Sequence, residues 1–269
     1  MPEHDADDLV LIEHVVRRAG EIARHYYGGE YRRWSKTRGE PVTEADLAID
    51  RFLRAELLAA RPDYGWLSEE GGDKERPDAQ RIFIVDPIDG TTAFLKTKPH
   101  FSISVAAVED GRPVAGVVYN PITEECFTAA RAKGSRLNGE TIHISTCASM
   151  EGCRILGPKD MFAHPAWSTP PNMPWPDMQI ETRNSIAYRM ALVAAGMFDA
   201  ALVLSAKHDW DMAAGDLIVR EAGGRVSTHD GSDLHFGGVV PIQRSMVCAG
   251  PALHQLLIER LRHVTLPQR

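Results

Sequence analysis

Residues 81–92 constrain the fold more than any other segment. Arg81-Ile82-Phe83-Ile84-Val85 is a short apolar run bounded by turn residues, which reads as a buried strand, and it leads straight into Asp86-Pro87-Ile88-Asp89-Gly90-Thr91-Thr92. The strand delivers Asp86 at its end, and Pro87 holds Asp86 extended, because the residue before a proline avoids the helical region. Three residues on, Asp89 can return to the same side of the turn, so that both carboxylates and the Ile88 carbonyl converge on one cation. Gly90 lets the backbone approach a ligand closely. If Thr91 opens a helix, its N–H groups suit a phosphate. The same residue types also make an ordinary turn, and this string alone does not choose between the two.

Around this segment the chain alternates helical and strand patterns. Leu9, Ile12, Val15, Val16, Ala19, Ile22, Ala23 and Tyr26 repeat with helical spacing up to Gly28-Gly29. A polar loop over 32–40 follows, then a second helix from near Thr43 to about Ala60. Strands at 102–108 and 113–119 are joined at Asp110-Gly111, a strong hairpin signal, and a strand at 125–130 continues the sheet. The six prolines between Pro158 and Pro176 mark an irregular excursion. A helix at 185–195, a strand at 198–204, a helix starting just after Asp211 and a last helix over 251–262 complete the chain. Hairpins mixed with crossovers predict an α/β fold of the α+β type, layered and with mixed sheets. At 269 residues the chain suits one compact unit, with a division near 145/146 as its natural subdomain boundary.

A formal charge of −7 argues against a general nucleic-acid binder, although bound metal ions reverse the local sign and admit a phosphorylated substrate. The acidic N-terminus does not read as a signal peptide, and no stretch approaches the length of a membrane span. Cys126, Cys147, Cys153 and Cys248 have no zinc-like spacing and read as free thiols. A cytoplasmic enzyme is the expectation.

Three further passages carry carboxylates, each with an ordinary alternative. In Trp66-Leu67-Ser68-Glu69-Glu70, an extended backbone sends only one glutamate toward a site, and a solvated acidic loop uses the same residues. In Thr43-Glu44-Ala45-Asp46, Thr43 with Asp46 three residues on forms a capping box. In His208-Asp209-Trp210-Asp211, Asp211 is a natural N-cap for the helix that leads to Glu221-Ala222-Gly223-Gly224.

Together, Pro41-Val42-Thr43-Glu44-Ala45-Asp46, Glu69-Glu70, Asp86-Pro87-Ile88-Asp89-Gly90-Thr91 and Trp210-Asp211 before Glu221-Ala222-Gly223-Gly224 resemble, in order, the motifs of the inositol monophosphatase family. That family stands in a wider group with fructose-1,6-bisphosphatase and 3′(2′),5′-bisphosphate nucleotidase. The resemblance implies an αβαβα sandwich and Mg²⁺-dependent hydrolysis of a small phosphate monoester, with two to three ions, lithium sensitivity and a homodimer. It places Glu69, Asp86 and the Ile88 carbonyl on one ion, Asp86, Asp89 and Asp211 on a second, and Asp46 with Glu69 near a third. Oxygen-only ligands suit Mg²⁺, and the lack of His or Cys in these motifs argues against zinc. The resemblance further gives Thr91 and Glu69 the activation of water, the Gly90 and Thr91 N–H groups the phosphate, and Lys36 a place near the metal loop.

The substrate is where the pattern departs. Leu204 stands where the family has a glutamate that binds inositol hydroxyls, while Lys207 and His208 offer positive or hydrogen-bonding character suited to a second phosphate. An inositol-1-phosphate-type phosphatase and a nucleotidase acting on adenosine 3′,5′-bisphosphate are therefore both expected readings. A regulatory protein that keeps the fold without the activity is the other class.

Overall fold

A computed structural model describes residues 2–35, 41–71 and 78–266 of the chain. Helix α1 (Pro2–Tyr26) starts earlier than its apolar repeat, and β1 (Arg33–Ser35) pairs with β2 (Pro41–Thr43) where a loop is expected; residues 36–40, with Lys36, lie outside the described residues. Thr43 caps α2 (Glu44–Ala60).

Seven strands then form the first large sheet in chain order: β3 (Gly65–Ser68), β4 (Arg81–Asp89), β5 (Ser102–Glu109), β6 (Arg112–Asn120), β7 (Glu125–Ala130), β8 (Ser135–Leu137) and β9 (Glu140–Ile142). Only β3 and β4 run parallel. The β5–β6 turn has positive φ at both Asp110 (50°) and Gly111 (75°), the conformation that matches the twist of a hairpin. After β4 comes a short helix, α3 (Thr91–Leu95).

The second half begins with β10 (Arg154–Leu156), then α4 (Lys159–Phe162) and a 3₁₀ turn within the proline-rich excursion, β11 (Gln179–Glu181), α5 (Ile186–Ala194) and β12 (Ala200–Val203). β13 (Lys207–His208) precedes α6 (Ala213–Glu221), and β14 (Arg225–Ser227), β15 (Ile242–Gln243), β16 (Met246–Ala249) and α7 (Pro251–Leu261) complete the order. The second sheet runs β11-β10-β12-β16-β14, with β10 parallel to β11 and β12 and the other pairings antiparallel, and β13 pairs with β15.

Alternation of side chains fixes the layers. Phe83 and Val85 of β4 pack with α1 and α2, while Ile82 and Ile84 face the core that holds α5 and α6. Burial on both faces explains why β4 is a continuous apolar run rather than an alternating one. In β12, Ala201 and Val203 face that same middle layer, whereas Ala200 and Leu202 pack with α7 and the excursion. The result is an αβαβα sandwich with mixed sheets, as the family resemblance implies.

Two devices set its tolerances. Arg81, almost wholly buried, bonds Asp5 and Asp8 of α1 at 2.8 Å each and Glu109 at 3.0 Å, which locks α1 to the start of β4 and the end of β5. In the middle layer α6 approaches β6 so closely that a Cβ on Gly116 would lie 3.2 Å from the Ala214 Cα. The small Ala214 makes that approach possible. The four cysteines are free, three of them buried. No helix among the described residues is long and apolar enough to cross a membrane.

Because α6 follows directly on Asp211, crowding at Gly116 should displace a site residue. Gly116→Val is expected to lower unfolding free energy by about 1–3 kcal/mol in urea melts, the usual cost of overpacking. A variant as stable as wild type contradicts this packing.

Candidate metal and phosphate site

The strand β4 runs past Val85 to Asp89, so Asp86 and Asp89 are carried within a strand and not, as the sequence suggests, on a turn. Three residues apart in a regular strand, they would face opposite sides of the sheet. Their partners on β5 are only two residues apart, Ser104 and Ser102, so β4 has one extra residue here. This bulge restores both carboxylates to one side. Pro87 fits at such a point because it has no N–H to lose from the ladder.

Each carboxylate is then fixed by a protein donor. The Ile88 N–H donates to Asp86 Oδ1 at 3.0 Å. Asp89 Oδ2 accepts from the Ser185 hydroxyl at 2.5 Å and from the Ala187 N–H at 2.7 Å. Asp211 Oδ2 accepts the His208 N–H at 2.9 Å. Asp211 closes a 3₁₀ turn over 209–211, and Met212, one residue further on, holds the cap position of α6. Ser104 donates to the Trp210 carbonyl at 3.3 Å and ties this turn to β5.

One carboxylate oxygen from each of Asp86, Asp89 and Asp211 lies within 4.8 Å of the other two. Glu69 joins them through the parallel β3–β4 pairing, which sets Ser68 opposite Val85 and bonds the Glu69 N–H to the Val85 carbonyl at 3.1 Å. Asp46 satisfies the capping box, accepting from the Thr43 N–H at 2.7 Å and its hydroxyl at 2.5 Å, and is also buried beside the acidic group. Capping and site-building are thus not alternatives at this residue. Both glutamates act on the cluster: Glu69 on Asp86, Asp211 and Asp46, and Glu70 on Asp46. The strand ends at Ser68 and residues 69–71 turn, so the alternation of an extended backbone does not govern this pair.

The cost of this crowding is visible in the proton affinities. Burial, then Glu69, Asp89, Asp211 and Asp46, hold the Asp86 carboxyl well above its ordinary range. Burial and Asp89 do the same to Asp211, partly opposed by the Lys207 ammonium. Burial raises Asp46 to about 7 against the opposing Thr43 bond. Asp89 reaches only about 6, because Ser185, the N–H groups of Ile186 and Ala187, and the Arg189 guanidinium offset its burial. A set of buried like charges with oxygen-only donors fits a hard divalent cation such as Mg²⁺.

Gly90 follows with φ of 95°, and a Cβ there would meet the Ser185 N at 2.9 Å and the His100 carbonyl at 3.0 Å, so only glycine fits. Thr91 does open a helix, α3, and its hydroxyl donates to the Ile88 carbonyl at 3.1 Å. The His208 ring stacks on Trp210 at 4.3 Å with planes 5° apart, so its site contact is the backbone N–H to Asp211. Ser185 and Arg189 are absent from the sequence-based set. Ser185 is legible only as the cap of α5, and nothing local marks Arg189.

The family model described as the inositol monophosphatase family matches residues 6–266. An inositol-1-monophosphatase of Rhizobium meliloti is 34% identical over 260 residues, covering 93% of this chain and 94% of that one. A Nus factor SuhB of Xylella fastidiosa is 34% identical over 202 residues, covering 74% of this chain and 72% of that one. The solved structure of a Thermotoga maritima IMPase aligns with a TM-score of 0.82 at 29% identity, covering 95% of this chain and 96% of that one.

Carboxyls whose folded proton affinity exceeds the unfolded value stabilise the fold while protonated, and that contribution is lost as pH rises through the folded pKa values. For Asp46 and Asp89 these are about 7 and about 6. Chelator-treated protein should therefore melt at a lower temperature at about pH 8 than at about pH 5.5. Mg²⁺ should recover most of the loss, since it binds only the folded site. Asp86→Asn, which removes one of the repelling charges, should raise the chelated melting temperature at pH 8 and abolish the response to Mg²⁺. Melting indifferent to pH, chelator and Mg²⁺ contradicts the cluster's electrostatics.

Proposed function

This chain belongs to the inositol monophosphatase family, and we propose that it hydrolyses phosphate monoesters of small alcohols with Mg²⁺ held by its buried carboxylates, inositol 1-phosphate being the reference ester. It is a phosphoric monoester hydrolase. The observation that carries the finer reading is the convergence of Asp86, Asp89 and Asp211 from two distant segments onto one point, with Glu69 and Asp46 in the same field.

In this reading Asp86, Asp89 and Asp211 would hold divalent ions, Glu69 and the Ile88 carbonyl would complete one site, and Asp46 would place a weaker third. When bound, the ions supply positive charge to the phosphoryl, attacking and leaving oxygens. The protein's own groups orient the reactants. The Thr91 hydroxyl, having donated its proton to the Ile88 carbonyl, presents its oxygen as an acceptor to the attacking water. Glu69, on the turn beside β4, accepts the proton that this water loses. Backbone N–H groups at Gly90 and Thr91, at the start of α3, would hold the phosphate.

A second reading, removal of the 3′-phosphate from adenosine 3′,5′-bisphosphate, is favoured by Lys207, whose ammonium acts on Asp211 and would offer positive charge to a second phosphate. The relatives named Nus factor SuhB bring a different class by name. Against a purely regulatory role stands the convergence of Asp86, Asp89 and Asp211, with Glu69 and Asp46 acting on Asp86.

Phosphate release with Mg²⁺ from inositol 1-phosphate and adenosine 3′,5′-bisphosphate, at matched low concentrations, tests the reaction and separates the two substrates. Turnover of either ester is expected to fall by about a hundredfold or more in Asp211→Asn, since even the partners of metal ligands are worth about 10–100-fold. Activity near wild type in that variant contradicts the assignment.

A further inference from the structure

The turn that carries Asp211 is gripped along one side by residues 235–243. β13 and β15 pair antiparallel, with Lys207 opposite Gln243 and His208 opposite Ile242. The Asp209 N–H donates to the Pro241 carbonyl at 3.0 Å, which carries the contact one residue past the strand. The Asp209 side chain completes the grip. It is wholly buried, and its Oδ2 accepts the Gly237 N–H at 2.6 Å while its Oδ1 accepts from Gln243 Nε2 at 2.8 Å. Gln243 Nε2 also donates to the His235 carbonyl at 2.6 Å, and because a carbonyl can only accept, this bond fixes which way the amide points. The segment has its own anchors: the Phe236 N–H donates to the Gly111 carbonyl of the β5–β6 turn at 3.0 Å, and Leu234 and Phe236 are buried in the middle layer.

Burying a carboxylate is costly unless its oxygens are satisfied. Among the described residues both partners of Asp209 are neutral donors, and its place in the chain explains what it does. Asp209 opens the 3₁₀ turn that Asp211 closes. The His208 N–H donates to Asp211 Oδ2 at 2.9 Å, and the Met212 N–H donates to the Asp209 carbonyl at 3.1 Å. Residues 208–212 are thus bonded into one unit, and Asp209 is where that unit is fastened. Toward β5 the turn is held by a longer bond, from Ser104 to the Trp210 carbonyl at 3.3 Å. Asparagine has the same shape but cannot replace Asp209. Its amide has one acceptor oxygen, so its NH₂ would face either the Gly237 N–H or the Gln243 amide, donor against donor.

We propose that residues 235–243 form a strap that positions the metal ligand Asp211, and that Asp209 is the positioning residue through which the strap acts. This rests on the reading of Asp211 as a Mg²⁺ ligand and adds the residues that hold it in place.

Mg²⁺ affinity, read by calorimetry on chelator-treated protein, is the first measure, and the Mg²⁺ dependence of phosphate release from inositol 1-phosphate is the second. Asp209→Asn should weaken Mg²⁺ binding by about tenfold or more, the scale found for partners of metal ligands. Gln243→Met, which keeps the side-chain length and loses the donor, should weaken it less but in the same direction. Val239→Ser, at the exposed tip of the strap, should leave affinity and turnover as in wild type. Because Asp211 itself is intact, raising Mg²⁺ should recover most of the turnover of Asp209→Asn, whereas a purely structural defect lowers turnover by the same factor at every Mg²⁺ concentration. Circular dichroism checks folding, and Gln243→Met carries the test if Asp209→Asn does not fold. Wild-type Mg²⁺ affinity in the folded variants, or an equal loss in Val239→Ser, overturns the strap. Wild type that binds Mg²⁺ no more tightly than Asp211→Asn overturns the metal reading instead, so the two failures are distinguishable.

Discussion

Mutual repulsion among buried carboxylates is the constraint around which the rest of this structure is arranged. Asp46 and Asp86 are each only 1% exposed and Asp89 5%, and each raises the proton affinity of its neighbours or is raised by them. Isolated charges in such positions would neutralise or drive the chain apart. Here each one is held by a hydrogen bond from the backbone or a short side chain: the Ile88 N–H, the Ser185 hydroxyl, the His208 N–H, the Thr43 hydroxyl. Those donors fix positions but do not cancel the repulsion. Cations do, and the same positive charge that relieves the protein attracts a phosphate dianion.

Holding such a cluster requires a scaffold that does not relax. The carboxylates come from four segments: the start of α2, the turn after β3, the bulged end of β4 and the turn before α6. Close packing sets their separation. α6 lies against β6 at Gly116, α5 meets α6 at Gly215, where a Cβ would fall 2.8 Å from the Met190 sulfur, and Gly90 lets Ser185 and His100 close over the end of β4. The Arg81 network binds α1 to the other end of β4. One strand, β4, thus carries a structural ion cluster at one end and the metal-site aspartates at the other.

The elements and the cluster were legible because they depend on local signals. Burial of β4 on both faces writes a continuous apolar run, the β5–β6 hairpin announces itself at Asp110-Gly111, and the carboxylate motifs stand in a recognisable order. The misreadings arise where tertiary context overrides local chemistry. Asp-Pro-Ile-Asp-Gly reads as a turn, yet a one-residue bulge set by pairing with β5 keeps it in the strand. Asp211 reads as a helix cap, yet it closes a 3₁₀ turn and Met212 holds the cap position. Glu69-Glu70 reads as an alternating pair, yet the strand stops one residue earlier. Ser185 and Arg189 reach Asp89 from nearly a hundred residues away, a contact that no spacing in the sequence encodes.

Proton counting on metal binding tests the account at its centre. Chelator-treated protein would be titrated with Mg²⁺ calorimetrically at about pH 7, in two buffers of different ionisation enthalpy, so that the difference in heat counts protons released. Raised carboxyl proton affinities predict saturable binding accompanied by net proton release, both lost in Asp211→Asn. Binding with no proton release, or no binding at all, would contradict the claim that cations replace protons in relieving the repulsion of this cluster.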